Sequence, residues 1–440
     1  MIRLFLLLLG IQSIRRSWRA LVVCGSALFL LGIAMLIDAL DGVIFFPLHV
    51  VGYLMVLEGL VMVIGASSVS GMQKRLLWVR GGLIVLLGLL IVDGRHADDF
   101  ILAMLFGLMV TIDGALRIAA SWVVRFVGWR TSVAIGVAEL LFAAFLFEPY
   151  PTHYKGTVPY CIGLGIVLSG FALLQLGLKL RNLPPNAFLP QLFSRGWNQF
   201  RDVSPPDFEA VFSPAEKLTV HVWTAVGTAI DPLHRPIVER YIAAVDARGV
   251  VSTGHAALEL GDDVYVSHYP GEEIDRSPGE FGRILRATAE NDIPGVFQPS
   301  YAFESKKWCE STVKVPFRRF NAARLRAFWA QYSRDNTYNL TNRNCSSTVV
   351  QVLETALEGV VGPKPSWRYL LRLLFSPELF VASHLRKRAE TMAWTPGLVL
   401  DYARALTGAL HPPPLAWFAI ARMALRTWRR SRASQAAGES

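Results

Sequence analysis

The chain has 440 residues, 52% of them hydrophobic and 18% charged, with 44 Lys and Arg against 34 Asp and Glu and a formal net charge of +10. With a mean hydropathy of +0.37, this composition excludes a single water-soluble globule. Long apolar runs precede Arg181 and charges concentrate after it, so we read a multidomain membrane protein. It comprises an all-α six-helix transmembrane bundle, an α+β water-facing domain and a basic helical C-terminal segment.

The divisions fall at 1–19, 20–182, 183–212, 213–362 and 363–440. The first is expected to lie in the bilayer interface, because residues 2–14 form an apolar lead-in that ends on Arg15, Arg16 and Arg19. No small-residue cleavage site follows it, so it is not read as a signal peptide. Six runs near 20–37, 45–65, 78–93, 100–119, 131–148 and 158–178 are long and apolar enough to cross a hydrocarbon core of roughly 30 Å. Their flanks alternate in sign. Arg15, Arg16, Arg19, Lys74, Arg75, Arg80, Arg125, Arg130, Lys179 and Arg181 fall on one side; Asp38, Asp41, Asp93, Asp98, Asp99 and Glu148 fall on the other. The positive-inside rule then puts both termini and the water-facing domain in the cytoplasm.

Every second span carries a glycine-centred turn of sequence: Leu57-Glu58-Gly59-Leu60, Ile112-Asp113-Gly114-Ala115 and Leu168-Ser169-Gly170-Phe171. The recurrence predicts three helical hairpins in series, with small residues at their contacts and surface for oligomerisation. Glu58, Asp113 and Glu139 are carboxylates in or near spans, placed there either for function or as snorkelling or capping groups. With these motifs and six spans, residues 20–182 resemble the HdeD family of bacterial acid-resistance membrane proteins. That resemblance implies a bacterial inner-membrane protein.

Prolines bracket residues 183–212 as a linker whose Phe188, Leu189, Leu192, Phe193 and Trp197 are expected on the bilayer surface. Strands are predicted over 218–226, 251–260, 264–269 and 311–317, the middle two joined at Gly261-Asp262-Asp263, where the acids are turn formers. Helices are predicted over 236–248, 321–332 and from Cys345 to a stop at Gly359, the last with Val349, Val352, Leu353 and Leu357 on one face. Residues 366–430 alternate apolar runs with Arg386-Lys387-Arg388 and Arg422, Arg426, Arg429 and Arg430. They read as amphipathic helices on an anionic leaflet, or as helices packed on the domain with a solvated basic face.

Four cysteines, Cys24, Cys161, Cys309 and Cys345, show no spacing of a disulfide framework or a zinc site, so no metal or cofactor is expected. Cys345 follows the polar run Thr337 to Asn344 and opens a helix, where amide groups and the dipole favour a thiolate. Its base is sought in Ser252-Thr-Gly-His255-Ala-Ala-Leu-Glu259, with His268 brought back by the hairpin as a second imidazole. Cys309, beside Lys306 and Lys307, is a rival nucleophile, while a buried structural thiol is the bland alternative for Cys345. His221 and His234 receive no role.

A Gly254-His255 strand, a Gly261-Asp262 turn, His268, and Tyr338-Asn339-Leu340 leading to Asn344-Cys345 at a helix start resemble the circularly permuted branch of the papain-like superfamily. That branch includes NlpC-like peptidases and lecithin:retinol acyltransferase-like enzymes. Over 217–360 the resemblance implies Cys345 as nucleophile, His255 as general base, His268 as the third polar residue, and Asn344 and Tyr338 as oxyanion or positioning residues. The implied function is a membrane-anchored cysteine hydrolase, peptidase or acyltransferase, acting on an acyl, peptide or isopeptide bond. The alternative is a stress-response or transport membrane module carrying a non-catalytic papain-like binding domain.

Overall fold

The computed structural model describes residues 1–40, 47–68, 72–93, 98–183, 187–190, 216–224, 244–245, 251–252, 254–272, 274, 281–362 and 365–411. Six helices in the N-terminal part are long and apolar enough to cross a membrane. They are α3 (Trp18–Asp38), α4 (Leu48–Gly65), α5 (Met72–Asp93), α6 (Asp98–Val124), α7 (Trp129–Phe147) and α8 (Thr157–Arg181), preceded by α1 (Ile2–Leu9) and α2 (Ile11–Arg16). Backbone groups in hydrocarbon have no water to bond, so each apolar run closes its own helical ladder. α5 and α6 outrun their apolar runs, because Lys74, Arg75 and residues 120–124 continue the ladder without needing lipid around them.

The glycine motifs mark the helix contacts, but the pairing differs from hairpins in series. α4 packs on α5, α6 on α7, and the last span, α8, closes on the first, α3. A Cβ on Gly59 would sit 2.6 Å from the Gly81 carbonyl oxygen, and one on Gly114 3.0 Å from that of Gly136. Gly170 meets the backbone of Gly25 and Phe29 in the same way. Each even-numbered span therefore pairs with the next odd one, the sixth wrapping to the first. Within α6–α7, Arg117 Nε donates to Glu139 Oε2 at 2.8 Å and Nη2 to Asp113 Oδ2 at 3.1 Å, so two of the span carboxylates neutralise a guanidinium. Glu58 faces outward on α4.

A small antiparallel-sheet region follows. The strands are β1 (Leu218–Trp223), the two-residue pair β2 (Ala244–Val245) and β3 (Val251–Ser252), β4 (His255–Leu260), β5 (Val264–Val266), β6 (His268–Pro270), β7 (Ile293–Phe297), β8 (Val313–Phe317) and β9 (Thr337–Tyr338). One sheet runs β5-β4-β1-β8 and another β6-β7-β9. The helix expected over 236–248 lies outside the described residues except at 244–245, which pair as β2. Helices α9 (Tyr301–Lys307), α10 (Ala322–Tyr332), α11 (Cys345–Leu357), α12 (Trp367–Leu374), α13 (Pro377–Thr391) and α14 (Pro396–Leu410) complete the domain. Alternation along β1 and β4 sends Val220, Val222, Ala256, Leu258 and Leu260 to the face covered by α11 and α14. The opposite face, with His221, Trp223 and His255, lies under α9.

Antiparallel alternation puts the start of α3, the end of α4, the α6–α7 turn and the end of α8 at one end of the bundle, and the sheet region docks there. Pro377 and Val381 of α13 pack on Gly65 at the end of α4, and Ala287 N–H donates to Val124 O at 2.6 Å. The N-terminal segment, expected in the bilayer interface, packs its apolar side chains into the protein. Leu4, Leu6, Leu7, Leu8, Ile11 and Ile14 are buried in the same core as α11 and α14, and Leu7 and Leu8 carbonyls accept from Gly359 and Val361 N–H at 3.1 Å each.

Phe188 and Leu189 of the linker are likewise buried, Phe188 against Phe328 of α10. Leu192, Phe193 and Trp197 lie outside the described residues. Among the described residues of the C-terminal segment, α13 and α14 are core helices and α12 alone keeps a broad exposed apolar face. An apolar stripe demands burial without naming its partner, and here the partner is the sheet region. Residues 412–440, with their arginines, lie outside the described residues.

Candidate active site

Cys345 opens α11 behind a capping box. Asn344 Oδ1 accepts Ser347 N–H at 2.8 Å, and Asn344 N–H donates to Ser347 Oγ at 2.9 Å. Asn344 O takes Thr348 N–H at 3.0 Å, and Asn344 Nδ2 donates to Leu340 O at 2.7 Å and Trp394 O at 3.0 Å. Asn344 therefore holds the helix start rather than facing the thiol. Capping uses the Ser347 and Thr348 amides and leaves, among the described residues, those of Cys345 and Ser346 beside the sulfur as donors toward an oxyanion.

The partly exposed Cys345 meets the start of β4. β5 pairs with β4 only as far as Leu258, which leaves the edge at Ala256 and His255 to α11. Burial works against ionising Cys345, yet the neighbouring His255, its hydrogen bond, the Ser346 hydroxyl and the Ala256 N–H together hold the thiol below its ordinary value. His255 Nε2 lies 2.9 Å from Ser267 Oγ and 3.4 Å from Glu304 Oε1, which leaves Nδ1 for the thiol. Tyr269 stacks on the imidazole at 4.1 Å.

Glu304, which sequence reasoning missed, is the group behind His255. It is 3% exposed on α9. Its Oε2 accepts from Tyr265 OH at 2.5 Å and Ser267 Oγ at 2.8 Å, and its Oε1 from Tyr269 OH at 2.5 Å. Burial first, then the carboxylate beside them, pushes both tyrosines far above their usual range, so they stay donors. The signal available was the period-two run Tyr265, Ser267, Tyr269, three hydroxyls converging on one acceptor. Replacing Glu304 by glutamine is expected to slow Cys345 alkylation ~10-fold, a fraction of what a general base supplies. Because the amide cannot accept all three hydroxyls, the melt should fall as well; the pH profile should shift with the rate, whereas a merely structural role would move only the melt.

His268 does not take the orienting place expected of it. After Val266 the chain leaves the first sheet, so Ser267 faces His255 while His268 pairs with Phe297 in the second. Its Nδ1 lies 3.3 Å from Thr348 Oγ1 and its Nε2 3.3 Å from Asn336 O. Tyr338 sets its ring edge-on to His268 at 5.0 Å. Both tie β6, β9 and α11 together. Burial, with Arg343 and His255 adding to it, pushes His268 down to about 4.

An unfolded imidazole titrates near 6.5, so the fold favours the neutral ring; this stability is whole above about pH 6.5 and is lost as pH falls toward 4. At 1.36 kcal/mol per unit the loss approaches about 3 kcal/mol. Buried Glu358, raised to about 6 by desolvation, works the other way below that pH. His384 of α13, also pushed down to about 4 by burial, adds a loss of the same sign as that of His268. Thermal melts from pH 7 to 4 should therefore fall for the native chain and fall less steeply for His268→Gln.

Cys309 is the weaker thiol. Burial raises it, and its carbonyl accepts Trp223 Nε1–H at 2.9 Å. His221 sits between Ser311 Oγ at 3.1 Å and Glu259 Oε2 at 3.2 Å, stacked on Tyr301 at 4.1 Å. His234 lies outside the described residues. No group of metal-binding side chains occurs among the described residues. No family model, curated protein or solved structure matches the chain, so its functional reading stands on this geometry.

Proposed function

We propose that the protein is a membrane-anchored thiol hydrolase or acyltransferase. The observation that carries this is the Cys345–His255 contact at a helix start, with Glu304 behind the imidazole. The Cys345 thiolate attacks a carbonyl carbon, and the amides of Cys345 and Ser346 receive the charge that develops on oxygen. His255 carries the thiol proton and delivers it to the departing amine or alcohol. A thioester on Cys345 remains, and water or an acceptor nucleophile, deprotonated by His255, then releases the acyl group.

A histidine strand preceding a cysteine helix, packed on an antiparallel sheet, supports the permuted papain-like reading. The basic flanks of the spans support placing this domain in the cytoplasm, and the resemblance to the HdeD family implies a bacterial inner membrane; together they disfavour peptidoglycan as substrate.

The test is acylation of the detergent-solubilised chain by a p-nitrophenyl acyl ester, read as a burst of nitrophenol and by intact mass. One acyl group should appear on Cys345, vanish in Cys345→Ala and persist in Cys309→Ala. An unchanged adduct in Cys345→Ala, or none in the native chain, would leave the domain as a non-catalytic module on the membrane bundle.

A further inference from the structure

The α12 helix has one face in the core and one face uncovered. Leu373 is buried there, and Tyr369 and Leu370 pack against the shared core. Trp367, Leu371 and Phe375, each four residues apart, are 66%, 44% and 56% exposed. Arg368 and Arg372 stand exposed beside that stripe, and the Arg368 guanidinium lies 5.5 Å from the Trp367 ring centroid. Three large apolar groups in water are costly, and an aromatic at one end with arginines alongside is the make-up of a headgroup-level helix.

The position of α12 decides what covers this face. Ser376 caps the next helix, α13, by accepting Leu379 N–H. The first residue of α13, Pro377, has its carbonyl oxygen 2.8 Å from where a Cβ on Gly65 would be, at the end of a membrane span. Phe375, the residue that follows α12, is two residues from that contact, so the C-terminal end of α12 lies near the level at which α4 ends. The second seat of the sheet region, Ala287 on Val124, lies at the end of α6, the same end of the bundle.

We infer that α12 is an in-plane membrane helix. Trp367, Leu371 and Phe375 enter the headgroup–acyl boundary of the bilayer this chain spans, and Arg368 and Arg372 meet anionic headgroups. With the α4 and α6 contacts it forms a third seat of the sheet region on the membrane. The inference needs no activity at Cys345.

The test uses the full chain with Cys24, Cys161, Cys309 and Cys345 replaced by serine, in vesicles of phosphatidylcholine and phosphatidylglycerol. Leu371→Cys or, as water-side control, Lys306→Cys on exposed α9 carries a nitroxide. Relaxation by oxygen should exceed relaxation by a water-soluble nickel chelate several-fold more at 371 than at 306. Arg368→Gln/Arg372→Gln should lessen that difference. A nitroxide at 371 as open to nickel as one at 306 would overturn the inference. So would one shielded from both reagents, which would mean that a second copy covers the face.

Discussion

Replacing His255 by alanine is expected to slow alkylation of Cys345 at pH 6 by about 100-fold. An ordinary thiol is less than ~1% thiolate at that pH, so fast reaction requires a partner that favours the charged form. Here that partner is the imidazole, with Ser346 and Ala256 assisting. His255 is buried under Tyr269 and Trp308, so the variant leaves a cavity and loses stability as well. Two comparisons separate the effects. His255→Gln keeps most of the volume and should lose nearly the same reactivity. Cys309 should react at its native rate in both variants if the fold survives. If Cys345 in His255→Gln reacts as in the native chain, the imidazole is not its activator.

The second large effect concerns the clamp between the Cys345 helix and the C-terminal helices. Arg386 of α13 donates from Nε to Glu354 Oε1 at 2.7 Å and from Nη2 to Oε2 at 3.0 Å. Tyr402 OH of α14 donates to the same Oε1 at 2.7 Å, and Arg386 also bonds Glu390. Arg386→Ala strands Glu354 as a buried charge and is expected to destabilise the domain by about 3–5 kcal/mol. The triple change Glu354→Leu, Arg386→Met, Tyr402→Phe removes the three buried members, leaves only the partly exposed Glu390 without Arg386, and should recover most of the loss. Thermal melts in detergent distinguish the two. Equal loss in both would mean that volume and shape, not the charge network, hold α11 to α13.

Legibility followed the locality of the physics. The spans were plain in the sequence because lipid forces each to be a continuous apolar helix. Their pairing was not, since Gly25, Gly59, Gly81, Gly114, Gly136 and Gly170 mark contacts without saying which helices meet. The Cys345 helix was legible because Asn344 and Ser347 cap it and Gly359, at φ 75°, ends its trailing turn. His255 followed from alternation along one strand. His268 was misplaced because the chain changes sheets at Ser267, a tertiary event with no local mark. Glu304 escaped because it sits on a seven-residue helix and gains its role only where partners 35–39 residues earlier converge on it. The apolar faces of α1, α13 and α14 announced burial but not against what.

The most direct measurement is the rate of Cys345 alkylation by iodoacetamide across pH 4–10 in the detergent-solubilised chain, followed by intact mass. The account predicts an inflection well below that of an ordinary thiol, carried by Cys345 and lost in His255→Ala. An inflection at or above about 8.5 would show a thiol with no thiolate-stabilising partner, and would contradict the nucleophile assigned to Cys345.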